Sequence, residues 1–70
     1  MNRLQAAEKV NEILGENLIQ EFDAQDERAG INGNMHFLVS NSKNQTVQVE
    51  MEYNEETDET TYSINEEWVK

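Results

Sequence analysis

Along the first third of the chain the apolar residues recur at helical spacing. Leu4, Ala7, Val10, Leu14, Leu18 and Phe22 fall three or four apart and predict one apolar stripe on a helix over about residues 2–22. Asn2 is placed to cap this helix, and Gln5, three residues on, to complete a capping box. Glu8, Glu12 and Glu16 form an acidic row on another face, where like charges four apart repel slightly. Gly15 weakens the span and reads as a tolerated glycine or a place of close packing rather than a hinge. Ile13 and Ile19 lie off the stripe, which implies a bend near Gly15 or burial of more than one face.

Residues 23–34, DAQDERAGINGN, read as a linker, with Gly30, Asn32, Gly33 and Asn34 supplying the positive-φ options of a turn. The spacing superficially suggests a calcium loop. Its sixth residue, however, is Arg28 rather than Gly, and its twelfth is Asn34 rather than Glu, so the calcium reading fails.

After the linker the period becomes two. Met35, Phe37 and Val39 point one way, and His36, Leu38 and Ser40 the other. Leu38 suggests a strand partly covered on both sides, internal or at an interface. Asn41 to Asn44 make a turn, and the next strand sets Val47, Val49, Met51 and Tyr53 against Gln48, Glu50 and Glu52. A loop of four to six residues over 54–59 leads to a third strand, where Tyr62, Ile64 and Trp68 share a core parity that Glu66 interrupts. The expected fold is α+β: one N-terminal helix on a three-stranded antiparallel meander over about 35–69, α-β-β-β, in two layers and one domain, 1–70.

Composition sharpens this picture. The chain has 70 residues, 36% of them apolar, a net charge of -10 and no cysteine, so neither disulfides nor thiolate metal sites can support a small core. The charge opposes direct binding to nucleic acid or anionic lipid and favours partners with positive surface. No apolar run has the length of a membrane span or a signal-peptide core, so a cytoplasmic location is expected. Asn44-Gln45-Thr46 matches a glycosylation triplet that carries no weight without a secretion signal.

Little in the chain suggests catalysis. A lone His36 on a strand face has no partner in sequence to orient it, and Ser40, Ser42 and Ser63 lack a nucleophile context. Carboxylate pairs are unavoidable among fifteen acids and do not by themselves mark an acid–base dyad. The expectation is a protein that is not an enzyme and takes no cofactor. Glu55, Glu56, Asp58 and Glu59 have no spacing that would organise a hard cation, so no metal site is expected.

The acids do concentrate. Residues 45–70 hold eight carboxylates, Glu50, Glu52, Glu55, Glu56, Asp58, Glu59, Glu66 and Glu67, against a single Lys, a local balance of -7. Residues two apart on a strand are about 6.8 Å apart, comparable with two base-pair rises of a duplex. Such an array could enter a groove built for phosphates, pair with its Arg and Lys, and exclude nucleic acid. The plainer alternative is a solvated face that keeps the chain soluble and blunts strand edges.

In size, charge and lack of motifs the chain resembles small acidic inhibitors encoded by phages, the DNA mimics and some anti-CRISPR proteins. That resemblance implies a short interaction protein that blocks a host nucleic-acid-binding protein, with the eight carboxylates as the partner-binding set. The rival expectation is an assembly or adaptor module that binds through Leu38, Ile13, Ile19 and Trp68, as a homodimer or with a partner.

Overall fold

The computed structural model describes residues 1–68. It contains α1 (Arg3–Leu14), α2 (Ile19–Asn32), β1 (His36–Ser40), β2 (Thr46–Asn54), β3 (Glu59–Asn65) and a short 3₁₀ turn over Glu66–Trp68. The strands form one antiparallel sheet in the order β1-β2-β3. The fold is α+β, with the helices first and the meander after them. Residue 69, the end of the expected meander, lies outside the described residues.

The expected helix over 2–22 is two helices. The capping box forms as anticipated: the Asn2 side chain accepts from the Gln5 N–H at 2.8 Å, and the Gln5 side chain from the Asn2 N–H at 3.0 Å. Gly15 then ends α1. It adopts φ 66°, and its N–H and that of Glu16 both bond to the Asn11 carbonyl, at 2.8 and 3.3 Å. The Asn11 side chain accepts from the Leu18 N–H at 2.7 Å and so helps start α2.

The expected linker over 23–34 is the body of α2, which stops at Gly33 with φ 72°. Only Phe22 and Ala29, seven residues apart, are buried in α2, a stripe too thin to register as helical periodicity. The intervening residues are mostly good helix formers, and Gly30 is carried within the helix.

Both helices cover one face of the sheet. Ala6, Ala7, Val10, Leu14, Leu18, Phe22 and Ala29 pack against Phe37, Val39, Val47, Val49 and Tyr62, with Ile13, Met51 and Ile64 at the margin. Phe22 meets Phe37 edge-on at 5.2 Å and Tyr62 at 6.1 Å. Leu4 leaves the expected stripe and is 63% exposed. It sits six residues before Val10, about 120° around the helix, because the sheet meets the Ala6–Val10 side. Trp68 also departs from the expected core parity: the strand ends at Asn65, and Trp68 is 40% exposed.

Polar bonds tie the layers together. Arg3 bridges Asp23 and Asp26, both at 2.8 Å, and Asp26 accepts from the Tyr62 hydroxyl at 3.2 Å, which joins α1, α2 and β3. Met1 exchanges both backbone bonds with Tyr62, at 3.0 and 2.7 Å, and so occupies the centre of the β3 edge.

Candidate functional site

The face of the sheet away from the helices is open. Along β2 it presents Gln48, Glu50 and Glu52, opposite Asn65, Ser63 and Thr61 of β3, while Asn54 stands opposite Glu59. Glu50, Glu52 and Glu59 therefore share one face, set there by the alternation that buries Val47 and Val49 on the other.

Beyond Met51 the hairpin outruns the helices. Nine residues of β2 span about 30 Å, longer than the two short dimensions of the 39 × 22 × 21 Å molecule, so the hairpin lies along its length. From Glu52 to Thr61 every residue is exposed on both faces, including Tyr53 at 48%. Glu55, Glu56 and Asp58 sit in the four-residue loop at the tip. The Asn54 side chain accepts from the Glu56 N–H at 2.9 Å, and Asp58 takes φ 54°, the turn geometry its short polar side chain tolerates. The Tyr53 hydroxyl donates to Asp58, and that bond, with some desolvation, holds the phenol above its ordinary ionisation range.

The structure thus gathers five of the eight expected acids, Glu52, Glu55, Glu56, Asp58 and Glu59, on one arm, with Glu50 at its base between β1 and β3 on the same face as Glu52. Glu66 and Glu67 stand apart on the 3₁₀ turn, beyond the far end of β3 and roughly 20 Å along the strand from Glu59. Among the described residues the only ion pairs join Arg3 to Asp23 and Asp26, so the acids of the arm have no basic counterpart there. An open concavity of about 520 Å³ at the arm is lined by Glu52, Tyr53, Asn54, Glu55, Glu56 and Thr61. Among the described residues no group of three or more His, Asp or Glu converges as a metal site requires.

The apolar residues expected to form a rival patch are scattered. Ile13 packs at the core margin, and Ile19 lines a groove between the helices with Leu4. Leu38 stands on the open face of β1, and Trp68 on the 3₁₀ turn. His36 borders an open groove of about 260 Å³ between α2 and β1, beside Arg28 and Asn32. Periodicity does not bring out one further feature: residues 28–49 contain no Asp or Glu, and this run includes all of β1. The molecule is electrically lopsided, with its acids on the arm and helices and none along β1.

No helix among the described residues is long and apolar enough to cross a membrane. Comparison with family models, curated proteins and solved structures finds no match for the chain.

Proposed function

We propose that the chain is a non-catalytic cytoplasmic interaction protein whose acidic hairpin binds the basic groove of a nucleic-acid-handling protein and excludes nucleic acid from it. The observation that carries this reading is the arm itself: five carboxylates project from the core, with Glu50 at the base of the arm, and none has a basic partner among the described residues. A face that served only solubility would gain from interspersed Lys and Arg, which limit self-repulsion. An arm of one sign retains that repulsion until a cationic surface relieves it. The row Glu50, Glu52 and Glu59 lies on a strand framework rather than a loop, so its spacing is held before binding. The general likeness to phage-encoded acidic inhibitors agrees with this role.

The test is capture of nucleic-acid-binding proteins on the immobilised chain, with elution in a salt gradient and competition by duplex DNA. The expected partner elutes at moderate salt, is displaced by DNA, and is lost when Glu50, Glu52, Glu55 and Glu56 are changed to Lys. Undiminished binding by that fourfold variant would overturn the proposal.

A further inference from the structure

The two edges of the sheet are treated differently. At β3 the backbone of Met1 occupies the edge at Tyr62. At β1 nothing among the described residues does so. The Met51 N–H donates to the Met35 carbonyl at 2.8 Å, which fixes the phase of the β1–β2 ladder. Residues 37 and 39 then exchange their bonds with Val49 and Val47, and the N–H and C=O groups of His36, Leu38 and Ser40 turn away from β2. The edge carries no Lys, Pro or bulge of the kind that protects exposed strands. At its midpoint Leu38 is 44% exposed.

We propose that β1 pairs antiparallel with β1 of a second copy of this chain, about a two-fold axis at Leu38. The strand is self-complementary in that register. Leu38 faces the partner's Leu38, and His36 faces the partner's Ser40, so all the outward backbone groups of one edge meet those of the other in matched pairs. The two leucines meet on the open face, where each alone is exposed.

Charge selects the same edge. Copies of a chain with net charge -10 repel each other, and only a surface poor in acids permits close approach. The run 28–49 is without acids, and the α2 residues lining the groove beside β1 include Arg28, Gln25 and Asn32. The carboxylates brought towards this region are Glu50, opposite His36 in register, Glu16, bonded to Ser42 at 2.7 Å, and Glu21, which accepts from the groove residue Gln25 at 3.1 Å. The pairing also closes: it is isologous and uses up both β1 edges, so the product is a six-stranded dimer and not a fibre, with Met1 bonded at the Tyr62 position of each outer β3 edge.

The contact is short, so the dimer belongs to the class of small interfaces below about 1,200 Å² and is expected to be micromolar or weaker. The experiment measures sedimentation and backbone amide exchange on the full chain up to about 1 mM, at about 0.05 and 0.5 M salt. Higher salt is expected to tighten the dimer severalfold, the reverse of its effect on binding through the arm. As dimer forms, the amides of His36, Leu38 and Ser40 become protected, while those of Phe37 and Val39 are protected at every concentration. Leu38→Lys is expected to weaken the dimer by more than about tenfold, since a charge at the centre of an edge blocks pairing. The fourfold Lys variant of the arm is expected to dimerise at least as well as the parent, so failure of either proposal leaves the other readable. A monomer at about 1 mM in high salt, or a dimer in which the three outward amides stay unprotected, overturns the inference.

Discussion

The side-chain amide of Asn41 donates to the main-chain carbonyl of Leu14 at 2.9 Å, so the β1–β2 turn closes the C-terminal end of α1. That carbonyl is among those a helix end leaves without an internal partner. Asn41 is buried and fully engaged: it also donates to the Gln45 side chain at 2.8 Å and accepts the N–H groups of Lys43 and Gln45 at 3.0 and 2.9 Å. A turn residue thereby holds two layers together.

Asn41→Ala removes the donor to Leu14 and the organiser of the turn at once. The expected loss is about 2–3 kcal/mol, the cost of leaving buried polar groups unpaired. Urea unfolding followed by circular dichroism reads it as a lower midpoint with an unchanged slope.

Two glycines are expected to respond in opposite directions to alanine. Gly15→Ala forces a side chain into φ 66° and is expected to cost about 1 kcal/mol, although no atom lies within 4 Å of the new methyl group. Gly30 lies within α2, also with nothing within 4 Å of an added methyl. Gly30→Ala is therefore expected to stabilise by up to about 1 kcal/mol through helix propensity. Thermal unfolding of the two variants side by side gives the signs.

Tyr62 predicts an alkaline limit. Burial, with the Asp26 carboxylate beside it, raises its ionisation above the ordinary value in the folded state, and the nearby Arg3 only partly opposes this. The unfolded chain then loses the phenolic proton first, so this contribution is complete below pH about 10 and is lost as the pH rises beyond it. Denaturation midpoints between pH 8 and about 11.5 are expected to fall more steeply for the parent than for Tyr62→Phe. Tyr53 leaves a residual slope in both proteins, because its bond to Asp58 shifts it in the same direction.

Neutralising the arm is expected to leave the fold intact. Glu52, Glu55, Glu56 and Glu59 are exposed and belong to no ion pair among the described residues, so their fourfold change to Gln removes repulsion and no ion pair. The thermal midpoint is expected to rise at low salt, and its dependence on salt to shrink. A drop in the midpoint would show that the acids support the hairpin rather than strain it.

Alternation and turn chemistry in the sequence determined the meander, its faces and the placement of Glu50 and Glu52, because a strand reverses its side chain at each residue. The Asn2–Gln5 cap was equally local, since its partners lie within one helical turn. The helical half departs from its periodicity where packing decides. Gly15 permits either a helix interior or a left-handed stop, and the choice of a stop fits a sheet that both helices must cover. Residues 23–34 carry turn-like glycines, yet burial of Phe22 and Ala29 against β1 and its neighbours makes them a helix. Composition alone revealed the excess of acids. Only the tertiary structure separated Glu66 and Glu67 from the arm, and set the acid-free run 28–49 along the open edge of β1, because charge in a sequence has no direction until strands are paired.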